Sequence, residues 1–285
     1  MQIQWYPGHM TKAKRMLQEQ LRRVDAVLIL LDARIPASSL NPDIEAMMRD
    51  KKRLILLNKA DLADPDTTVQ WKRYYKQAGM DVLELTSTRK NARKQVLSAV
   101  EAAVKGRVDA MAKKGVKKIV RVMVAGVPNV GKSTLINMLA GGAMTRTADR
   151  PGVTRGRQWI RMGDYLELLD TPGLLWPKFD DPVTGMHLAF CGSIRDEITE
   201  AWQLCCALLD ELKEQAPQQL AQRYKLASLA DTGEEILIDI SKKRGFLLRG
   251  GQVDTERGAR VVLDEFRDGR IGRISLEKPP EGGAA

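Results

Sequence analysis

The 285-residue chain carries 46 Lys and Arg against 36 Asp and Glu, a formal net charge of +10, with 44% hydrophobic and 29% charged residues. That composition suits a folded protein of one large or two modest domains, and it excludes a disordered tail, a collagen-like repeat and a disulfide-stapled miniprotein. No apolar run approaches the roughly 20 residues that span a bilayer. The opening Met-Gln-Ile-Gln-Trp-Tyr-Pro-Gly-His lacks the basic start and apolar stretch of a secretory signal and the Arg/Ser content of a transit peptide. A cytoplasmic monomer without stable membrane association is expected.

Charge is unevenly spread. Residues 1–179 hold 32 Lys and Arg against 17 Asp and Glu, whereas residues 180–285 hold 14 against 19. Such a field draws polyanions without choosing among RNA, DNA and an anionic membrane, and it equally suits a merely soluble basic surface. In chain order, Thr11 to Arg23 spaces Ala13, Met16, Leu17 and Leu21 among five basic residues, an amphipathic basic helix. Three short apolar runs, Ala26 to Leu31, Leu54 to Leu57 and Val82 to Leu85, read as buried strands. Helical patterns at Ile44 to Arg49, Val69 to Ala78 and Ala92 to Val104 lie between and after them. Lys105 to Lys118 reads as a basic linker or exposed loop. A strand at Val120 to Ala125 and a helix at Thr134 to Leu139 follow, then strands near Gln158 to Arg161 and Leu166 to Leu169. Strand and helix in alternation specify a parallel α/β sheet. Beyond Asp180 the pattern turns helical, with Ile198 to Leu212 amphipathic and Pro217 punctuating it, so a domain boundary is placed near residue 178 and a frayed tail from Pro279. Cys191, Cys205 and Cys206 lack metal-ligand spacing and are expected to pack as small apolar residues in a reducing compartment.

Gly126-Val-Pro-Asn-Val-Gly-Lys-Ser133 fits G-x-x-x-x-G-K-[ST] in full, between a strand and a helix. Backbone N–H groups from Asn129, Val130 and Gly131 through to Thr134 wrap phosphates at the helix N-terminus. Lys132 reaches the β- and γ-phosphates, and the Ser133 hydroxyl ligates Mg²⁺. About forty residues on, Asp170-Thr-Pro-Gly173 closes a strand; a carboxylate there holds Mg²⁺ through water, and the Gly173 N–H meets the γ-phosphate. Thr154, within Pro151-Gly-Val-Thr-Arg, is placed to be a second Mg²⁺ ligand. Asn58-Lys59-Ala60-Asp61 directly follows a strand. The Asp61 carboxylate can accept from the guanine N1–H and 2-amino group, which adenine cannot offer, and so selects GTP over ATP. Asn58 braces the loops and the Lys59 stem covers the base. The bland alternative for Asp61 is an ordinary helix cap. Thr86-Ser87 supplies a second guanine contact through a backbone N–H.

Guanine reading here precedes phosphate binding, the reverse of the usual GTPase order, and the residues resemble those of circularly permuted GTPases. With Trp5-Tyr-Pro-Gly-His-Met10, Asp32-Ala-Arg-Ile-Pro36 and Lys243-Arg-Gly-Phe followed by Gly250-Gly251, the chain resembles the ribosome biogenesis GTPase A family from residue 4 to about 279. Thr86-Ser87-Thr88 departs from the more usual Ser-Ala. The resemblance implies an α/β, three-layer P-loop GTPase sandwich with circular permutation over residues 1–178, followed by a smaller all-helical C-terminal domain over 179–285 that binds RNA or the ribosome. It implies a GTP hydrolase in a late step of large ribosomal subunit assembly. Such an enzyme contacts the ribosomal RNA of the subunit precursor, is stimulated by the subunit and leaves after hydrolysis. Because the permuted switch segments lead into residue 178, loss of the γ-phosphate can reorient the C-terminal domain.

Leu174 stands where many GTPases carry the Gln that orients the attacking water, and the family belongs to the hydrophobic-substituted class. His9 is the catalytic candidate beside Lys132: a neutral imidazole can orient or deprotonate water near pH 7, or can equally hydrogen-bond within its loop or to RNA. His187, after Gly185, reads as structural. Asn129 either shapes the phosphate loop or, as in GTPases that resemble this one, helps hold K⁺ against the phosphates. RNA contact has three candidates, Lys12 to Arg23, Lys105 to Lys118 and Lys242 to Arg273, whose phosphate contacts give salt-sensitive affinity. The alternative is an RNA-binding regulatory GTPase acting on the small subunit or another RNA–protein complex. Permuted relatives of that kind usually add an N-terminal oligonucleotide-binding barrel or a zinc site, for which this chain has neither the leading residues nor the cysteine spacing.

Overall fold

The computed structural model describes residues 17–48, 51–115, 119–141, 159–162, 166–171, 175, 179, 181–194 and 200–281. Within them, β1 (Ala26–Asp32), β2 (Lys52–Asn58), β3 (Asp81–Glu84), β4 (Val120–Ala125), β5 (Trp159–Met162) and β6 (Leu166–Asp170) form one sheet in the order β3-β2-β1-β4-β6-β5. Five strands run parallel, and β5 joins the β6 edge antiparallel. The central β1, Ala-Val-Leu-Ile-Leu-Leu-Asp, is buried along its whole length because helices cover both faces of the sheet.

Alternation along the strands sorts the side chains into two apolar layers. Val27, Ile29 and Leu31 pack with Leu17, Leu21, Met48, Trp71 and Tyr75 on one face. Leu28 and Leu30 pack with Val96, Val100, Leu135 and Leu139 on the other. The first face is covered by residues 17–21, the described part of a helix, with α1 (Pro42–Met47) and α2 (Pro65–Gln77); the second is covered by α3 (Ala92–Ala112) and α4 (Lys132–Ala140). This is the parallel α/β sheet that the alternating pattern specifies, in the three-layer sandwich that the resemblance implies. α3 runs to Ala112, past the Val104 where the sequence reading ends it, so part of the expected linker is helix. The physical reason is a stripe at helical spacing: Val96, Val100 and Val104 are buried, and Val108 packs against the same cluster one turn on. Gly106, facing open space, costs that helix only about 1 kcal/mol, too little to break it.

Five helices follow, α5 (Pro182–Phe190), α6 (Ala201–Gln215), α7 (Pro217–Tyr224), α8 (Gly233–Lys243) and α9 (Thr255–Arg267). Local chemistry fixes the starts of α5, α7, α8 and α9. Pro182 and Pro217 sit at first-turn positions, Thr232 and Glu235 form a capping box, and the Asp254 side chain accepts from the Arg257 N–H. Their apolar faces, including Leu204, Leu208, Leu212, Ile236, Ile240, Val262 and Phe266, join the cluster that covers the second face of the sheet. Glu265 of α9, itself buried, takes Arg223 of α7 at 2.6 and 3.0 Å and Arg244 at 3.1 Å. Between α8 and α9, Leu247 and Val253 form an antiparallel bridge. Cys191 and Cys205 are buried, Cys206 is half-buried, and all three are free thiols that pack as apolar residues. Among the described residues, no helix is long and apolar enough to cross a membrane.

Candidate nucleotide-binding site

β2 and β3 lie to one side of β1, and β4 and β6 to the other, so progress through the sheet reverses between β1 and β4. The loops leaving the C-terminal ends of the strands at such a reversal are the place where open α/β sheets bind ligands. Strand register brings the candidate residues to that one edge: Asp32 pairs with Asn58, and Asp170 of β6 pairs with Val124 of β4.

The phosphate-loop candidates leave β4 directly. Asn129 (φ 55°) and Gly131 (φ 104°) adopt left-handed backbone, which curls the chain before α4 begins at Lys132. Gly131 also has no room for a side chain, since a Cβ there would lie 2.4 Å from the Asn58 amide nitrogen. Val130 is buried, while Ser133 is exposed and Thr134 half-buried in the first turn of α4. The buried Lys132 ammonium donates to the Val127 carbonyl at 2.7 Å, which holds it over the loop. Asn129 donates its side-chain N–H to the Gly192 carbonyl at 2.7 Å, tying the loop to the turn after α5. An oxygen-donor set of the Ser133 hydroxyl and a carboxylate at the end of β6 suits Mg²⁺ chemically. The backbone of Asp170 is described at that strand end.

The guanine-loop candidates leave β2. Asn58, 3% exposed, is the joint of the site. Its amide N–H donates to the Val130 carbonyl at 2.9 Å, and its oxygen accepts the Ser87 N–H at 3.2 Å and the Ser87 hydroxyl at 2.7 Å. One buried side chain thus ties together the loops after β2, β3 and β4. Thr86 is half-buried beside Ser87. Lys59 (φ 57°) turns the chain, and its ammonium meets the Asp32 carboxylate at 3.0 Å. Asp61 is half-buried in the next turn. The residue that caps α2 is Asp64, whose carboxylate accepts the Thr67 N–H at 2.7 Å.

Asp32 and Arg34, quoted above only as part of a motif, prove to be structural partners of this loop. The Arg34 guanidinium donates to both Asp32 carboxylate oxygens, at 3.0 and 2.9 Å, and to the Phe266 and Arg267 carbonyls at the end of α9, each at 3.3 Å. Burial pushes the Asp32 carboxyl upward, but the Arg34 and Lys59 cations outweigh it and hold the group well below the usual carboxylate range. The signal in the sequence is an Asp and an Arg two apart at the end of a fully apolar strand, where burial demands that charges be paired.

His187 lies in α5, 4% exposed, with Nδ1 2.8 Å from Glu277 and Nε2 3.0 Å from Glu211. Burial lowers its pKa, but the hydrogen bonds to the two carboxylates more than reverse this and raise it to about 9, so it is an imidazolium at neutral pH. His9, Thr154, Gly173 and Leu174 lie outside the described residues, as does the basic segment before residue 17.

With this geometry in view, the likenesses to known proteins are specific. Residues 121–242 match the family model described as a 50S ribosome-binding GTPase. The chain is 45% identical to the ribosome biogenesis GTPase A of Priestia megaterium over 283 residues, covering 99% of this chain and 98% of that one. It also matches the GNP-bound crystal structure of YlqF from T. maritima at a TM-score of 0.67 and 30% identity, covering 94% of this chain and 98% of that one. The GDP-bound YlqF structure gives 0.68 at 29% identity, over 93% and 99%. Because these likenesses run over nearly the whole of both chains, the chain belongs to the ribosome biogenesis GTPase A family.

Proposed function

We propose that this protein is a GTPase of late large-subunit assembly. It binds the pre-subunit through ribosomal RNA, hydrolyses GTP there and leaves as the GDP form. The observation that carries the reading is the Asn58 joint, which holds a guanine-type loop and a phosphate loop together in a chain similar end to end to ribosome biogenesis GTPases. The family model that fits residues 121–242 is named for binding the 50S ribosome, and this favours the large subunit over the small one.

In this reading Asp61 accepts from the guanine edge, the Thr86–Ser87 backbone adds a second contact, and the Lys59 stem leaves Asp32 to cover the base. Lys132 moves from the Val127 carbonyl to the β- and γ-phosphates. Backbone N–H groups from Asn129 through Thr134 line the phosphates at the start of α4. Ser133, Thr154 and Asp170, the last through water, would hold Mg²⁺, which when bound neutralises developing charge on the phosphates. The Asn129 side-chain oxygen is the atom that would face K⁺, its amide nitrogen being held by Gly192. Gly173 meets the γ-phosphate, and His9 orients the water where Leu174 cannot. Residues 1–178 form the nucleotide domain and 179–285 the ribosome-facing domain. Basic segments at 12–23, 105–118 and 242–273 contact RNA phosphates, in the cytoplasm, with the protein as a monomer.

The experiment is co-sedimentation with isolated large or small subunits, in GDP or in a non-hydrolysable GTP analogue, across a salt series. Binding to large subunits that is stronger with the analogue and falls steeply with salt is expected. Preference for the small subunit, or binding indifferent to nucleotide, would overturn the reading.

A further inference from the structure

After α9 the chain does not fray at once. Residues 269–277 turn back and run across the loop that follows β2. The Arg273 guanidinium donates to the Ala60 carbonyl at 2.9 Å and to the Ala63 carbonyl at 3.0 Å, so one side chain grips the loop on both sides of Asp61. Ile274 N–H donates to the Leu62 carbonyl at 3.0 Å, and Asp64 N–H donates to the Ser275 hydroxyl at 3.1 Å. Gly269 lies against the Leu62 side chain so closely that a Cβ there would sit 2.7 Å from it.

The strap is anchored at its far end as well. Leu276 N–H donates to the Arg34 carbonyl at 2.9 Å, and the Trp71 indole N–H donates to the Glu277 carbonyl at 3.0 Å. The Glu277 carboxylate accepts the Ala37 N–H at 2.7 Å and the Ser38 N–H at 3.2 Å and meets His187. Behind it, Arg34 fastens the end of α9. Ala60, Leu62, Ala63 and Asp64 are therefore all held by a segment some 210 residues later in the chain.

A loop reads a base by holding its acceptors within a few tenths of an ångström, and hydrogen bonds from a packed neighbour supply that rigidity. We infer that the 269–277 strap, and Arg273 above all, positions the guanine-reading loop, so that base discrimination depends on the C-terminal segment. Linkage makes the effect reciprocal: guanine nucleotide stabilises the strap and, through it, the end of α9. The helical region then senses the nucleotide from the base side, independently of the segments that face the γ-phosphate. The inference rests on the proposal that Asp61 reads guanine.

The test titrates the full chain with GDP, inosine diphosphate and xanthosine diphosphate by calorimetry, for the wild type and for Arg273→Ala, Arg273→Lys, Arg270→Ala and Asp61→Asn. Arg270, exposed and paired with Asp268 across the surface, is the control. Arg273→Ala is expected to weaken GDP about tenfold and inosine diphosphate, which lacks the 2-amino group, distinctly less. Arg273→Lys should fall between, and Arg270→Ala should match the wild type. Equal weakening of both nucleotides, or no weakening, would overturn the inference. Asp61→Asn separates the two levels: if it shifts preference to xanthosine diphosphate, guanine reading stands whatever Arg273 does. If it does not, guanine reading fails and the strap's role fails with it.

Discussion

Replacing Asn58 by Ala removes three hydrogen bonds from one buried point and leaves the Val130 carbonyl, the Ser87 N–H and the Ser87 hydroxyl without it. Each bond is worth about 1 kcal/mol net, and a buried partner left unmade costs about 1–3 kcal/mol, so the site cannot recover everything by relaxing. A loss of about 2–4 kcal/mol is expected, and a melting temperature lower by roughly 3–7 °C for a chain of this size. Asn58→Asp keeps an acceptor for Ser87 but sets a carboxylate oxygen against the Val130 carbonyl, so it should be no more stable than Asn58→Ala. The assay is thermal and urea unfolding of the nucleotide-free protein, where no ligand masks the effect. An Asn58→Ala variant that melts within about 1 °C of the wild type would refute the idea that this side chain joins the three loops.

Three further outcomes follow. With its folded pKa raised to about 9 from an ordinary 6.5, His187 contributes stability in full below pH 6.5 and loses it as pH rises towards 9. The unfolding free energy from urea titrations should fall over that window by an amount on the order of 3 kcal/mol, and His187→Gln should flatten the profile; a wild-type curve flat from pH 6.5 to 9 would contradict the pairing with Glu211 and Glu277. Glu265→Ala strands Arg223 and Arg244, but both guanidinium groups reach water, so the cost should be about 1–2 kcal/mol rather than that of a fully buried pair; an unchanged urea midpoint would show that the cluster is inert. Replacing K⁺ by Na⁺ at constant ionic strength should slow GTP turnover, and Asn129→Ala should remove the difference; equal rates in both salts would exclude a K⁺ site.

The sheet was legible because a parallel strand buried on both faces must be a nearly unbroken apolar run, as Ala26 to Leu31 and Leu54 to Leu57 are. The phosphate loop was legible because Gly131 and Lys132 stand at positions that backbone geometry dictates locally. The length of α3 is not legible, for a related reason. Lys105, Gly106 and Arg107 hide a valine stripe that continues only at helical spacing, and composition cannot see spacing. Arg273, Ser275 and Glu277 gave no local signal at all, since their partners lie some 210 to 240 residues earlier and only the folded chain brings them together. The pairing of Asp32 with Arg34 and Lys59 stood between these extremes. Two charges at the end of an apolar strand announce that a partner exists, but not that Arg34 also reaches α9.

The central claim, a GTPase whose turnover belongs to the large subunit, is tested most directly by GTP hydrolysis in K⁺ buffer. The protein is assayed alone, with purified large subunits, with small subunits and with whole ribosomes. The account predicts marked stimulation by large subunits and little by small ones. Stimulation by small subunits alone, or none by either despite tight GTP binding, would contradict it.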